Sequence, residues 1–350
     1  MYYFFIFRHG RSCTTNLLCF YSRLLDIIQE RDGWADCVFL DLKKAFDKVP
    51  HRKLLEKLEF IGGLRGNLLE WMRDFLHARK MRVMIRDKVS TWKEVISGVP
   101  QGSVLAPIMF VIYINDMDEG VTSYMSFFAD DAKLLRRLES KRDCEQLQDD
   151  LEKIWKWGQK WEMEFNVKKC SVMEFGKSKN RISGTYNLGD KEVKKLEFEK
   201  DLGVVITKDM TPDKQINKII GETYNLLRSI KVAFAYMDEE MVKKILITMI
   251  QPRLEYAAIL WSPSTKKNIR KLERIQRATT KLAPELSELT YEERLSKLEL
   301  PTLEQRRERG DLLTIYRIMK NMEILDREDL LIWDTRNTRG HGKKTEKGQL

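Results

Sequence analysis

The sequence predicts an α+β fold, and three observations carry that prediction. Strand-length apolar segments next to carboxylates recur in the first half of the chain, stretches of helical period separate them, and beyond Met210 the pattern turns almost wholly helical. No segment repeats at a fixed period. At 350 residues the chain fits about two domains of roughly 150 residues each. Its 43% hydrophobic and 33% charged content supplies a core and excludes collagen-like, low-complexity and wholly disordered classes.

Helical spacing runs from about Thr14 to Arg31, and Cys37–Asp41 comes next as a buried strand that ends in a carboxylate. Pro50 opens a helix that Gly62 and Gly63 close, because proline is tolerated in a first turn and glycine ends a last one. Met81–Ile96 alternates like a hairpin around Asp87–Lys88, and Pro107–Met117 reads as a buried helix. Tyr124–Leu135 reads as two strands about Asp130–Asp131. After Leu138 comes a long charged helix carrying Trp155, Trp157 and Trp161. Thr211–Pro212 is the natural boundary before a helical region that runs to about Asn321. The polar, Gly/Lys-rich Asn337–Leu350 reads as a disordered tail.

The longest apolar run, Val104–Ile114, falls short of the ~20 residues a bilayer span needs and contains Pro107. The opening Met1–Phe7 lacks the basic region and small-residue cleavage site of a secretory signal, and reads as a start inside something longer. Five scattered cysteines, Cys13, Cys19, Cys37, Cys144 and Cys170, include no Cys-x-x-Cys pair, so neither a disulfide framework nor a zinc ribbon is expected. The expectation is an intracellular protein with no membrane partner.

Lys and Arg number 63 against 53 Asp and Glu, a formal charge of +10 that suits a polyanionic partner. The basic residues concentrate in Ser264–Leu282, where Lys266, Lys267, Arg270, Lys271, Arg274, Arg277 and Lys281 stand against a single acid, Glu273. On a helix, Lys267, Arg270, Lys271, Arg274 and Lys281 share one face, while Ile269, Leu272, Ile275, Thr279 and Leu282 form the opposite, apolar one. Such a helix holds a cationic stripe outward.

Two places concentrate the chemistry. Asp41 closes one apolar strand, and Asp130–Asp131 come after another apolar segment, Tyr124–Ala129. If the two strands pair, the carboxylates converge. Successive side chains of a strand point to opposite faces, so adjacent aspartates serve one site only at a turn. Three carboxylates in one cleft repel one another unless divalent cations neutralise them, an arrangement suited to two-metal phosphoryl or nucleotidyl transfer. The alternative is an ordinary surface pair, as expected of Asp149–Asp150, which lies on a polar helical stretch and reads as a solvated face. The second place is the loop Ser97-Gly98-Val99-Pro100-Gln101-Gly102-Ser103, between a strand and an apolar helix. Its glycines either let backbone approach a ligand closely or make a plain strand-to-helix turn.

Phe39-Leu40-Asp41-Leu42-Lys43-Lys44-Ala45-Phe46-Asp47-Lys48-Val49-Pro50-His51, then Ser97–Leu105, then Phe128-Ala129-Asp130-Asp131 resemble motifs A, B and C of reverse transcriptases. The nearest likeness is to non-LTR retrotransposons of the LINE type, jockey and chicken-repeat among them. Further stretches agree in order. Trp161 through Phe165-Asn166 to Lys169-Cys170 resembles motif D, and Leu202-Gly203-Val204 resembles motif E. Pro252-Arg253-Leu254-Glu255-Tyr256 and Glu273–Arg277 resemble the family's thumb, so the likeness spans residues 8 to 320.

The resemblance implies a right-hand polymerase palm, an antiparallel sheet plus helices, with partial fingers and an α-helical thumb. The implied division assigns 1–35 to a remnant of the fingers or N-terminal segment, 36–50 to the palm with motif A, and 51–96 to a fingers-like hairpin and helices. It assigns 97–210 to the palm with motifs B to E, 211–325 to the thumb, and 326–350 to a disordered basic tail. By the same resemblance Asp41, Asp130 and Asp131 are the catalytic, metal-holding carboxylates, for Mg²⁺ or Mn²⁺ in its place, with the Leu42 carbonyl an extra metal contact. The resemblance also implies that Lys169 protonates the leaving group. Phe46 is a steric gate against the ribose 2′-hydroxyl, with core packing as its other role. Gln101 and Gly102 line the nucleotide pocket, Phe128, Ala129, Leu202 and Gly203 touch the primer end, and Lys267, Arg270, Lys271 and Arg274 track template–primer phosphates. The implied partners are an RNA template, a DNA primer and dNTPs, and the implied compartment is the nucleus.

Departures accompany the match. The basic fingers segment that precedes the palm in the family is represented only by its end, Gly10–Leu17, and Ala106 stands where glycine is usual. The endonuclease domain of intact elements is not on this chain, so an N-terminally truncated element copy is expected. Two functions are implied: an RNA-directed DNA polymerase, and a catalytically inert remnant that at most binds nucleic acid.

Overall fold

The structure, a computed structural model, describes residues 9–176 and 182–325. The expected tail 326–350 and the opening Met1–Phe7 lie outside the described residues. Phe20–Glu197 falls within one compact unit, and Cys13–Cys19 with the chain from Phe198 onward in another. Among the described residues no helix is long and apolar enough to cross a membrane.

The first unit is α+β, as the sequence predicts. After α1 (Cys13–Gln29), of which Phe20–Gln29 belongs to this unit, β1 (Ala35–Asp41) is buried or half-buried at every position, the signature of an interior strand. The short α2 (Ala45–Lys48) leads to α3 (His51–Phe60), with Pro50 at its N-cap position. Gly62, whose amide bonds back to the Lys57 carbonyl at 3.0 Å, and Gly63, at φ +66°, end it as expected. Beyond α4 (Asn67–Leu76), four two-residue strands make one long hairpin: β2 (Lys80–Met81), β3 (Met84–Ile85), β4 (Lys88–Val89) and β5 (Lys93–Glu94). Its turn is at Arg86–Asp87, with Arg86 at φ 52°, one residue ahead of the expected Asp87–Lys88. The apolar α5 (Leu105–Ile114) is buried along Ala106, Met109, Phe110, Tyr113 and Ile114.

β6 (Tyr124–Phe128) and β7 (Asp131–Arg137) pair through a two-residue connection, with Phe128 opposite Asp131. The turn is therefore Ala129–Asp130, not Asp130–Asp131, and Asp131 opens β7. After α6 (Lys141–Trp161) come β8 (Ser171–Phe175), β9 (Asn187–Leu188), β10 (Lys191–Glu192) and β11 (Lys194–Lys195). The main sheet has the order β11-β8-β1-β7-β6, antiparallel except where β11 joins β8. Its core face carries Val38, Leu40, Phe127, Ala132, Leu134 and Val172, packed with Leu54 and Leu58 of α3, Phe110 of α5 and Leu147, Leu151 and Ile154 of α6. Because side chains alternate along a strand, Asp41 and Asp131 lie on the other face.

One expectation fails on α6. Asp149 is exposed, but Asp150 is fully buried rather than solvated. Helical period sets it beside Leu147, Leu151 and Ile154 on the inward face. The residues that satisfy it precede β6: its carboxylate accepts from the Thr122 amide at 3.0 Å, the Ser123 amide at 2.8 Å and the Ser123 hydroxyl at 2.7 Å. Burial pushes this carboxyl up, but those bonds and Lys153 outweigh it and hold it below the usual carboxylate range.

The second unit opens with the hairpin β12 (Phe198–Asp201) and β13 (Val204–Thr207) and continues into α7 (Asp213–Ala233). It begins at Phe198, ahead of the Thr211–Pro212 boundary that the residue pattern suggests. The physical reason is that the hairpin is bonded across that boundary, to Thr211 and to the first turn of α7. The Val205 amide donates to Gln215 Oε1 at 2.9 Å, and the Thr207 hydroxyl donates to the Thr211 carbonyl at 3.1 Å. The remainder is helical, as expected, in α8 (Glu239–Ile245), α9 (Gln251–Glu255), α10 (Ala258–Trp261), α11 (Lys266–Thr280), α12 (Tyr291–Leu298) and α13 (Leu303–Met319). Side chains of Asp238, Thr265, Thr290 and Thr302 cap α8, α11, α12 and α13.

Candidate active site

The register of β1 against β7 sets Asp41 directly opposite Asp131. Facing residues of an antiparallel pair stand with Cβ atoms about 5 Å apart on one side of the sheet. Asp130 occupies the adjoining turn, which Ala129 enters at φ 54°. The sequence thus delivers three carboxylates to one end of two paired strands. All three are at least partly exposed. Among the described residues no three Asp, Glu, His or Cys side chains stand as a ready-made ligand group, so the carboxylates are neighbours without being gathered into a cage. The donor set, carboxylate oxygens accessible to solvent, suits a hard divalent ion that retains water.

The segment after α6 frames Asp41. Asn166 N donates to the Asp41 carbonyl at 2.8 Å, Lys43 N donates to the Glu164 carbonyl at 2.8 Å, and buried Leu42 bridges to Phe165. A tight turn then carries Lys169 and Cys170 back, since both of their amides bond to the Asn166 carbonyl. Lys169 Nζ stands 3.6 Å from Asp41 Oδ1 on a largely exposed side chain. The Asp41 amide donates to Cys170 Sγ at 3.4 Å, and burial pushes that thiol up to about 11.

The Ser97–Ser103 loop lies on the stretch of chain just past Asp41. Gly98 N donates to the Val49 carbonyl and Val99 N to the Phe46 carbonyl, each at 2.8 Å, and Pro50 bridges to Ser97. The Ser97 hydroxyl donates to the Asp47 carbonyl at 2.9 Å, and His51 Nε2 meets the Gly98 carbonyl at 2.8 Å. Gly98 stands at φ +89°, and a Cβ there would come within 2.7 Å of the Asp47 carbonyl oxygen, so glycine is required by conformation and by space. Gln101 Nε2 donates to Asp47 Oδ1 at 2.8 Å. Gly102, at φ +85°, faces open space. Phe46 is half-buried and stacks on Phe110 with ring centroids 4.3 Å apart, so the packing role is real.

In the second unit, Leu202 and Gly203 form the two-residue turn of the β12–β13 hairpin, at φ 43° and 91°. Tyr256 Oη donates to the Leu202 carbonyl at 2.7 Å and Lys218 Nζ to the Gly203 carbonyl at 2.8 Å. On α11, Lys267, Arg270 and Arg274 are exposed, and Lys271, half-buried, donates to Asn217 Oδ1 at 3.1 Å. Leu272, Ile275 and Thr279 are buried on the opposite side, so the amphipathic division drawn from spacing holds.

Sequence reasoning missed Asp47 and His51, both inside the first motif, and the contact of Cys170 with the Asp41 amide. Their spacing offers no signal, because their partners lie 54, 47 and 129 residues away.

The family model described as "Reverse transcriptase (RNA-dependent DNA polymerase)" matches residues 1–205. The chain is 25% identical over 291 residues to a probable RNA-directed DNA polymerase from transposon X-element of Drosophila melanogaster, covering 79% of this chain and 31% of that protein. It is 27% identical over 201 residues to the RNA-directed DNA polymerase from mobile element jockey of the same species, covering 54% of this chain and 21% of that protein. It thus spans a third or less of the length of these curated relatives. A structure of telomerase from Candida albicans with a TWJ fragment of telomeric RNA is a distant likeness, with TM-score 0.41 and 12% identity over 80% of this chain and 52% of that one. With the family match running through β1, the Ser97–Ser103 loop and the β6–β7 turn, the chain belongs to the reverse transcriptase family.

Proposed function

We propose that this chain is the polymerase part of a LINE-type retrotransposon protein, an RNA-directed DNA polymerase that adds dNTPs to a DNA primer on an RNA template. The observation that carries the reading is the β1–β7 register, which faces Asp41 with Asp131 beside Asp130. In this reading residues 36–50 and 97–210 act as palm, 51–96 as fingers and 211–325 as thumb.

Asp41, Asp130 and Asp131, with the Leu42 carbonyl, would hold Mg²⁺ or Mn²⁺. Bound there, such ions favour ionisation of the primer 3′-hydroxyl and neutralise charge on the triphosphate and leaving pyrophosphate. Lys169, whose Nζ is 3.6 Å from Asp41 Oδ1, would give a proton to the leaving group. Gln101 and Gly102 line the nucleotide pocket, and the Phe46 ring, braced by Phe110, excludes a ribose 2′-hydroxyl. Phe128, Ala129, Leu202 and Gly203 contact the primer end, and the α11 cations contact phosphates of the duplex.

Primer extension on an RNA template tests this. The native chain should extend with Mg²⁺, and the Asp130→Asn variant should not, because removing one charge weakens stabilisation of the transition state. Extension that survives excess chelator or the Asn substitution overturns the assignment. A native chain that binds duplex yet never extends it is the inert remnant.

A further inference from the structure

The carboxylate of Asp47 has no part in the chemistry above. It is tied to the Ser97–Ser103 loop by the bond from Gln101 Nε2 to its Oδ1 at 2.8 Å. The same residue's carbonyl accepts from Ser97 Oγ at 2.9 Å, and its backbone fills the space that a Gly98 side chain would need. Asp47 therefore touches the loop at its start and at its tip. The backbone between is laid down by bonds from Gly98 to Val49 and from Val99 to Phe46.

From these contacts we propose that Asp47 is a positioning residue for the nucleotide pocket, holding Gln101 in the orientation that meets an incoming dNTP. The inference rests on the reading of Gln101 given under Proposed function. A carboxylate only accepts hydrogen bonds, so the Gln101 amide must turn its nitrogen toward Asp47 and keep its oxygen and second N–H for a ligand. Gln101 is exposed, and an exposed glutamine spreads over many rotamers, so fixing it costs conformational entropy. Asp47 fixes it before the nucleotide arrives, so its contribution falls on nucleotide binding and not on the chemical step.

The test measures KM for dNTP and kcat in primer extension, together with equilibrium dNTP binding to the complex with a dideoxy-terminated primer. Asp47→Ala should weaken dNTP binding and raise KM by about 3- to 10-fold, within the range for one typical hydrogen bond. The kcat and the affinity for primer–template should stay within about twofold of native values, an error comparable to mutational additivity. Asp47→Asn, which keeps an oxygen acceptor, should recover most of the loss. In a Gln101→Ala background, Asp47→Ala should add nothing further, since its partner is already gone. If Gln101→Ala raises KM while Asp47→Ala does not, this inference fails and the polymerase reading stands. An Asn variant as impaired as Ala, with kcat reduced, also overturns it, because charge and not position would then be acting. A native chain that neither binds dNTP nor extends primer overturns both.

Discussion

Asp41 and Asp131 are direct partners in the antiparallel register of β1 and β7, with no residue between them across the ladder. Like charges directly opposite on a sheet destabilise it, by an amount comparable to the roughly 0.2–1 kcal/mol that a favourable pair contributes. A chain that keeps such a pair, with a third carboxylate at the next turn, is suited to a cation.

The first prediction uses that repulsion. Mg²⁺ should raise the thermal midpoint of the native chain in a concentration-dependent way, by about 1.4 kcal/mol of added stability at ten times its dissociation constant. The Asp41→Asn variant should lose most of that response. Identical shifts for native and variant chains, measured by thermal denaturation across an Mg²⁺ series, would place ion binding elsewhere.

Phe46 should prove to have two separable roles. Phe46→Ala removes a half-buried ring stacked on Phe110 and should cost about 2 kcal/mol, less than a fully buried phenylalanine. It should also raise ribonucleotide incorporation relative to deoxyribonucleotide. The ratio of the two incorporation rates decides between a gate and a packing residue, because a packing residue would lower both together.

The basic face of α11 should read phosphates without reading sequence. Each phosphate contact releases counterions and steepens the slope of log affinity against log salt by about 0.7–0.9. Arg270→Gln/Arg274→Gln should flatten that slope for an RNA–DNA duplex and leave sequence preference unchanged. Parallel slopes for the native and variant chains would take the duplex off this helix.

Lys57 concerns stability and pH. Its ammonium is buried between α3, α5 and α6, paired with Asp116, bonded to the Tyr113 carbonyl, and 3.9 Å from the Trp161 ring centroid. Asp116 also accepts from Trp157 Nε1 at 2.7 Å. Lys57→Met should cost about 3–5 kcal/mol, because it leaves the Asp116 charge without its partner, and adding Asp116→Asn should restore part of it. Burial lowers Lys57 to about 8, against 10.5 for an ordinary lysine. The unfolded chain therefore binds more protons than the folded one between those values, and stability should rise with pH across that window. Urea denaturation from pH 7 to 10 checks this, and the rise should be absent in Lys57→Met.

The order of elements was legible in the sequence because strand and helix periods are local. Cys37–Asp41 reads as a strand from its own residues, and β1 contains it. Pro50 and Gly62–Gly63 bracket α3 for reasons of backbone geometry alone. The cationic division of α11 comes from helical spacing and holds for Lys267, Arg270 and Arg274, with Lys271 half-buried against Asn217. The three carboxylates were legible as a set because each borders an apolar strand or turn, and the ordered motifs named the family.

Tertiary structure alone decided which groups meet. Asp149 and Asp150 are chemically identical neighbours, yet only Asp150 is buried, because Thr122 and Ser123 arrive from another part of the chain to satisfy it. The β6–β7 turn lies at Ala129–Asp130 and not one residue later, since the pairing of Phe128 with Asp131 sets the register. Asp47 shows no periodicity or motif signal for its bond to Gln101, 54 residues away. Local pattern determines which side chains turn inward, whereas the partner of a buried or bridging polar group is set by packing, when distant segments are brought within hydrogen-bond reach and must satisfy one another.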